Sequence, residues 1–478
     1  MDNKQFVTEA VSRHAGQLDA LNDQIWSYAE LDFRVRQSAD ALTAAAEKEG
    51  FQVRRGLAGM RHAFTASFGS GKPVIGFLAE YDALSGLSQQ AGCPSHNPIV
   101  PGGSGHGCGH CGLGTGAFGA AVAVKEYLEA TGHEGTVILY GCPAEESGWG
   151  KAFMARDGCF DGLDLALTWH PQTDNYVVER SNLANLSVHF SFEGIPAHAA
   201  GCPELGRSAL DACELMNVGV NYLREHVSSG ARIHYAYLDA GGSSPNVVQD
   251  RASLHYFIRA PKKQMVMEIF ERIKDVAKGA ALMTGTQANI QVISGMSELV
   301  MNFTLNEVLY EAFTELGAPE YSEEDYRLAA AFFSGLPKTT QDETRDSLAR
   351  KMPAEAVERI LERPLASGIR LYRKPESILV EMGSSDVGDA SYVTPTAQIA
   401  VACACLGTQL HSWNMTGQAA TSLGHKGVHK AAEVLALAAI KLLDRPETIQ
   451  KAREEWKAAA GGLYCCPVPD GVVPPSGD

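Results

Sequence analysis

The sequence predicts an α/β protein with a mainly parallel sheet and one inserted ferredoxin-like α+β domain. Three observations support this prediction. In the first 180 residues, short apolar runs alternate with amphipathic segments, as in chains of βαβ units. Residues 181–295 follow the order β-α-β-β-α-β, which is the ferredoxin-like arrangement. The apolar run 398–406 and the apolar helix 429–443 then return to the first pattern.

The elements of the first region follow one another in a regular order. Residues 3–29 and 38–48 carry apolar side chains at helical spacing and predict two helices. Residues 117–129 and Gly150–Arg156 predict two more. The runs that predict strands are 51–54, 62–68, Val74–Ala79, 136–140 and 163–168. Val74–Ala79 is nearly all apolar, as expected for a strand covered on both faces.

The inserted region shows alternating strands and two helices. Its strand patterns are 186–192, 231–237, 253–259 and 288–294, and its helix patterns are 205–224 and 262–282. We therefore predict one domain from 1–180 and 296–478, and a second, inserted domain from 181–295. A four-stranded antiparallel sheet leaves edges that invite pairing, so we expect a homodimer through the inserted domain.

The overall composition argues against several classes of function. A chain of 478 residues is too long for one ordinary core, which predicts two domains. The net charge of −16 argues against nucleic acid and anionic membranes as partners. There is no uncharged apolar run long enough to span a bilayer and no signal-peptide pattern. The eleven cysteines are too few for a disulfide scaffold, so we expect a cytoplasmic protein with reduced thiols.

Residues 104–116 contain two histidines and two cysteines separated almost entirely by glycine. Thiolate and imidazole are the ligands that late divalent metals prefer, and glycine lets the backbone turn several side chains toward one point. Cys108 and His110 are therefore candidate metal ligands. Two alternatives remain open on this stretch alone: a turn with buried thiols, and a cysteine nucleophile near a histidine.

Further candidates follow two of the predicted strands. Glu145 and Glu146 come after 136–140, and His170 comes after 163–168, so all three are expected at the carboxyl edge of the sheet. Neighbouring carboxylates point in different directions, so one can bind a metal while the other activates water as a general base. The alternatives are two solvated glutamates at a helix start and a hydrogen-bonded core histidine.

Together these residues resemble the metal-dependent aminoacylase and glutamate-carboxypeptidase family, whose members hydrolyse amide bonds beside a carboxylate-bearing amino acid. The resemblance covers nearly the whole chain. Its motifs lie at 76–92, 105–114, 143–146, 168–171, 197–200 with 205–211, 244–248, 258–261 and 385–389. The family implies a di-metal catalytic domain and a second domain that serves as dimerisation lid.

The resemblance also implies a role for each matching residue. The implied ligands of two divalent metal ions, Zn²⁺ or Mn²⁺, are Cys108, His110, Glu146, His170 and His411. The implied catalytic and substrate-binding residues are Glu145 as general base, His198 as an oxyanion donor in the partner's site, and Asn246 and Arg259 at the substrate carboxylate.

Two features of the sequence depart from the pattern of the family or leave it ambiguous. Glu80-Tyr-Asp82 replaces a His-x-Asp ligand motif of many relatives, and His425 competes with His411 as last ligand.

The expected function is a metal-dependent amidohydrolase or dipeptidase acting on a small N-acyl amino acid or related dipeptide. One alternative is a thiol hydrolase that uses Cys108. Another is a non-catalytic subunit that binds a metabolite. For the assembly, pairing with a related sister subunit is the alternative to a homodimer. Alone, His198 and Asn246 also fit turn positions and Arg259 also fits a solvated strand end.

Overall fold

The first 180 residues of the chain build most of a large sheet and the helices that cover it. The computed structural model describes residues 2–462 and 464–477. The helices of this part are α1 (Asn3–Tyr28), α2 (Arg36–Lys48), α3 (His110–Thr131) and α4 (Gly150–Arg156). The strands are β1 (Gln52–Arg55), β2 (Phe64–Ser70), β3 (Val74–Ala79), β4 (Gly135–Gly141), β5 (Leu165–Gln172) and β6 (Tyr176–Val177).

The next segment forms a separate four-stranded sheet with two helices. Its elements are β7 (Ala184–Glu193), α5 (Ala209–Leu223), β8 (Arg232–Asp239), β9 (Arg251–Ala260), α6 (Lys263–Thr284) and β10 (Gln287–Met296). The antiparallel strand order is β10-β7-β9-β8, which is the ferredoxin-like arrangement predicted from the alternating pattern. Inward side chains of the central strands, including Phe190 and Tyr256, are fully buried beneath the two helices.

The rest of the chain is mainly helical and adds one strand to the large sheet. Its helices before that strand are α7 (Phe303–Leu316), α8 (Glu323–Gly335), α9 (Lys338–Ala349), α10 (Ala354–Glu362) and α11 (Val387–Val393). They are followed by β11 (Thr396–Ala402), α12 (Trp413–Ala419), α13 (Ser422–Leu443) and α14 (Pro446–Ala460). In the described ranges, no helix combines the length and apolarity that crossing a membrane requires.

The large sheet has the order β1-β2-β4-β3-β5-β11-β6. Its central strands β4, β3, β5 and β11 run parallel, while β1, β2 and β6 pair antiparallel at the two edges. This confirms the predicted α/β class with a mainly parallel central sheet. The carboxyl ends of the parallel strands meet at one edge, where open α/β sheets place their sites.

Several predicted boundaries were wrong near that edge. Helix α3 begins at His110 rather than at residue 117, because the glycines of its first turns allow unusually close packing. A side chain on Gly116 would come within 2.7 Å of Trp169, and one on Gly109, which has φ +78°, would strike Pro171 and Met415. His170 lies inside β5, opposite Ala400 of β11, and not beyond the strand's end.

Candidate metal centre and active site

A cavity of about 370 Å³ opens at the carboxyl edge of the large sheet, beneath the smaller one. Five of the predicted site residues line it from the large sheet's side: Cys108, Glu145, Glu146, His170 and His411. The smaller sheet contributes Phe257 and Arg259 from β9 and Met296 from β10. The predicted ligands and general base are therefore gathered at one place, between the two sheets.

Two of the candidate ligand groups in the described part of the chain share one thiol. Cys108, His110 and His170 make the first group, and Cys108, Glu146 and His411 make the second. Within each group the atoms lie within 4.8 Å of one another. Cys108 Sγ is 3.4 Å from His170 Nε2, and Glu146 is 3.2 Å from His411 Nε2. Two neighbouring groups with a common sulfur suit a pair of borderline divalent ions.

Two buried atoms of these groups are placed to bind a cation. His110 Nε2 and Glu146 Oε1 have no hydrogen-bond partner within residues 2–462 and 464–477, although both are buried. Buried polar atoms are ordinarily paired, and an unpaired nitrogen beside an unpaired carboxylate oxygen is costly. A metal ion bound by both atoms would remove that cost. The residues present therefore fit a bound divalent metal ion.

The orientation of His110 is set from behind. Its Nδ1 lies 3.1 Å from Asp82, whose other carboxylate oxygen accepts the Glu146 backbone N–H at 2.9 Å. A carboxylate behind a ligating imidazole holds the ring in place and raises its basicity. Asp82 therefore couples the His110 ring to the backbone of the Glu145-Glu146 pair. No role for Asp82 was predicted from the sequence. The signal that could have indicated one is its place in Glu80-Tyr-Asp82, the segment that replaces the His-x-Asp motif of many relatives.

The pKa values of the adjacent residues Glu145 and Glu146 are shifted in opposite directions. Burial, together with repulsion from Glu80 and Glu146, raises the pKa of Glu145 well above its ordinary value. Burial would also raise the pKa of Glu146, but the hydrogen bond to His411 and the charge of His110 lower it to about 2. Paired groups whose pKa values are pushed apart mark an acid/base assignment. This favours Glu145 as the proton-transfer group and Glu146 as an anionic ligand.

The pKa of the Cys108 thiol does not fit an activated nucleophile, although His170 lies beside it. Burial, with repulsion from Glu146, raises its pKa well above the ordinary value. Catalytic cysteines have lowered pKa values because the thiolate is the reactive species. Metal binding deprotonates a thiol outright, so the same site suits a ligand. The buried surroundings of the Cys108 thiol therefore do not favour the thiol-hydrolase alternative.

Three non-glycine residues at the cavity adopt the left-handed backbone conformation. Ala144, with φ 62°, immediately precedes the two glutamates, and Trp149, with φ 59°, closes the same turn through its N–H to Ala144 O. His411 has φ 58°. Such conformations are unfavourable for residues with a side chain and persist where the surroundings impose them, often at functional sites. Three of the six non-glycine residues with positive φ in the described part of the chain thus lie on segments that present candidate ligands.

Not every predicted residue lies at this cavity. His198 and Asn246 are exposed on neighbouring loops of the small domain, where Asn246 O accepts the Ala199 N–H at 3.0 Å. In the described part of the chain, neither residue lines the cavity. Among the described residues, His425 belongs to none of the candidate ligand groups, and its Nε2 is hydrogen-bonded to Asp23 at 2.7 Å.

Comparison with known proteins shows which family the chain resembles in sequence. A family model described as peptidase family M20/M25/M40 matches residues 76–374. One subunit of the p-aminobenzoyl-glutamate hydrolase of Escherichia coli is 42% identical over 478 residues, covering 98% of each chain. The human Xaa-Arg dipeptidase is 25% identical, with 94% of this chain and 91% of the dipeptidase covered.

Solved structures agree in fold. A dinuclear metal-binding peptidase of the M20 family from Bacillus subtilis aligns with a TM-score of 0.57 at 16% identity, covering 91% of this chain and 99% of that chain. An aminobenzoyl-glutamate utilization protein from Klebsiella pneumoniae aligns with a TM-score of 0.61 at 17% identity, covering 91% and 97%. The resemblance found in the sequence motifs is thus confirmed, and the chain belongs to peptidase family M20/M25/M40.

Proposed function

We propose that this chain hydrolyses the amide bond of an N-acyl amino acid with two divalent metal ions, Zn²⁺ or Mn²⁺, and that p-aminobenzoyl-glutamate is its first candidate substrate. The observation that supports this most directly is the double ligand group around Cys108 with Glu145 beside it. Cys108, His110, Glu146, His170 and His411 would hold the ions. When bound, the ions supply an acidified water molecule and a polarised substrate carbonyl.

Glu145 carries out the proton transfers of the proposed reaction. Its carboxylate lies 4.0 Å from His110 Nε2, at the rim of the first ligand group. From there it takes a proton from the attacking water and returns it to the leaving nitrogen, as a general base that becomes a general acid. The raised pKa of Glu145 suits both steps, because a carboxylate with a raised pKa is a stronger base and keeps the proton until the leaving nitrogen takes it.

The walls of the cavity support an aromatic acyl group next to a carboxylate. The rings of Trp149 and Phe257 are tilted by 46° with centroids 5.7 Å apart, and the guanidinium of Arg259 lies 5.7 Å from the centre of the Phe257 ring. A flat aromatic group fits beside such rings, and a guanidinium binds a carboxylate through two parallel hydrogen bonds. The name of the Escherichia coli relative describes a substrate with both features.

A hydrolysis series tests the substrate proposal. With Mn²⁺ or Zn²⁺ present, we expect p-aminobenzoyl-glutamate to be cleaved with a higher kcat/KM than N-acetyl-glutamate or an Xaa-Arg dipeptide. Arg259→Met should lower kcat/KM for p-aminobenzoyl-glutamate roughly 10- to 100-fold, the cost of losing hydrogen bonds to a charged group. Arg251→Met is the matched control, since Arg251 lies on the same strand with 80% of its side chain exposed. Metal-loaded protein that cleaves none of these compounds would disprove the proposal.

We further propose that residues 181–295 form an inserted unit, that 1–180 and 296–478 form the catalytic unit, and that β8 pairs with a second copy of the chain. Strand β8 is at the edge of its sheet, and large apolar side chains on β8 and on the two helices of the same sheet are exposed. These side chains are Val218, Tyr222, Tyr235, Tyr237, Leu238, Leu282 and Met283. A second copy would cover them.

A related but different chain is the other candidate for that place. The Escherichia coli hydrolase is named as having two kinds of subunit, and both are similar to this chain in sequence. The second kind is 30% identical over 232 residues, which cover 46% of this chain. The mass of the purified protein, alone and after mixing with such a sister chain, distinguishes a homodimer from a mixed assembly.

The position of His198 gives a direct test of assembly. His198 is exposed and away from its own cavity, so we propose that it stabilises the oxyanion in the partner's site. Glu145→Gln chains and His198→Ala chains should each be nearly inactive as homodimers. When the two are mixed, a hybrid dimer has one site with both residues intact, and activity should return as the chains exchange. Absence of recovery despite demonstrated exchange would show that His198 does not serve a neighbouring copy of this chain.

A further inference from the structure

A fully buried lysine lies behind the metal centre. Lys151, on helix α4, is 0% exposed and its Nζ is 2.5 Å from Asp386 and 2.6 Å from Glu80. Asp386 also accepts the backbone N–H of Lys151 at 2.8 Å. A buried ammonium is stable only where carboxylates compensate its lost hydration. Asp386 and Glu80 therefore compensate the charge of Lys151 inside the fold.

The two carboxylates that hold Lys151 come from motifs to which the proposed mechanism gives no role. Glu80 opens the Glu80-Tyr-Asp82 segment that departs from the ligand motif of many relatives, and Asp386 belongs to the 385–389 motif. The backbone of Lys151 is anchored by Asp386, and its ammonium bridges Asp386 to Glu80. Lys151 thus links two distant segments of the chain directly beneath the site.

The second oxygen of Glu80 faces the first ligand group. Glu80 Oε2 is 3.3 Å from His110 Nε2, and Glu80, His110 and Glu145 have candidate ligand atoms within 4.8 Å of one another. His110 Nδ1 is already paired with Asp82, and the Nε2 atom, although fully buried, makes no hydrogen bond to any described residue. At this distance the carboxylate oxygen and the imidazole nitrogen attract each other when a proton or a metal ion lies between them, and a metal ion would use the lone pairs of both atoms.

The charge balance around this point also favours the binding of a cation. Five carboxyl groups converge on the site: Glu80, Asp82, Glu145, Glu146 and Asp386. Lys151 supplies one ammonium against them. Because Lys151 pairs with Oε1 of Glu80, the Oε2 atom is held rigidly in the direction of His110.

We infer that Glu80 is an additional metal ligand, shared with His110, and that Lys151 anchored by Asp386 is the positioning residue that aims it. This rests on the proposed metal-dependent function, but it concerns a carboxylate outside the five ligands predicted from the sequence. Carboxylate oxygen is a normal ligand of both Zn²⁺ and Mn²⁺. Fixing the carboxylate from behind with a buried ammonium reduces the entropy lost when the metal binds.

The experiment measures metal binding directly, apart from activity. Apo protein is titrated with Mn²⁺ and with Zn²⁺ by calorimetry, and bound metal is counted by elemental analysis after dialysis. We expect Glu80→Gln to weaken binding of one of the two ions by about 100-fold or more, and Lys151→Met to weaken it by roughly 10- to 100-fold, as loss of a supporting residue does. Lys426→Met is the matched control, since Lys426 Nζ lies 2.5 Å from the buried carboxylate of Asp325. Neither residue lines the cavity or belongs to a candidate ligand group in the described part of the chain.

The double variant Glu80→Gln/Lys151→Met separates a ligand from a mere counterion. It removes both members of the ion pair, so folding stability, followed by Tm, should recover relative to whichever single variant is less stable. If Glu80 is a ligand, metal affinity stays low in the double variant. If Glu80 serves only to neutralise Lys151, the double variant binds two ions as tightly as wild type, which overturns the inference. The two proposals fail differently. Wild-type protein that binds no metal defeats both, whereas two tightly bound ions in wild type and double variant defeat only this one.

Discussion

Replacing Glu145 with glutamine is expected to reduce turnover roughly 100- to 10,000-fold while leaving the metal content nearly unchanged. The amide has the shape of the carboxyl group but cannot take a proton from water. Glu145 lies at the rim of the first ligand group, and burial with repulsion from Glu80 and Glu146 raises its pKa. Steady-state kinetics and elemental analysis on the same preparation check both parts of the result.

Glu146→Gln is the matched control for this experiment. Glu146 is the neighbouring residue, but its low pKa and its contacts with His411 and Cys108 favour a ligand. We therefore expect this variant to lose metal, and its activity should return in part when excess Mn²⁺ is added. If Glu145→Gln loses metal and Glu146→Gln retains it, the roles of the two glutamates are the reverse of those proposed.

Removing the metal is expected to abolish hydrolysis reversibly. Incubation with a chelator should take activity below detection, and addition of Mn²⁺ or Zn²⁺ should restore it, because general base and substrate contacts alone do not supply an acidified water. His110→Ala should reproduce the loss permanently, since its buried Nε2 belongs to two of the three candidate ligand groups. Full activity in protein shown to be free of metal would contradict the proposed chemistry.

His425→Ala is the control for the histidine substitution. His425 is also hydrogen-bonded to a carboxylate, but that carboxylate is Asp23 and neither residue belongs to a candidate ligand group in the described ranges. Metal content and activity should therefore remain close to wild type. His411→Ala should instead resemble His110→Ala, because His411 contacts Glu146. Loss of metal in His425→Ala but not in His411→Ala would move the last ligand to position 425.

Glu80, Asp82 and Lys151 show why part of the site escaped prediction. Lysine is among the residues least often buried, so a lone Lys151 in an amphipathic stretch is expected at the surface. Its burial depends on Asp386, which is 235 positions away, and on a strand end that carries Glu80. No local periodicity reports such a contact. The departure at Glu80-Tyr-Asp82 was visible in the sequence, but its meaning required the distance to His110.

The sequence by itself determined most of the order of strands and helices up to residue 295, the ferredoxin-like insertion and the family. Apolar periodicity is a local property that follows from which face of an element is buried, and motifs preserve the residue types that the chemistry needs. The tertiary structure alone decided that β5 continues through His170 and that helix α3 begins at His110. Both depend on contacts with distant segments, through pairing with β11 in one case and glycine packing against Trp169 in the other. It also decided the shared position of Cys108 and the buried charges beneath His110, because convergence of side chains from separate strand ends exists only once the sheet has formed.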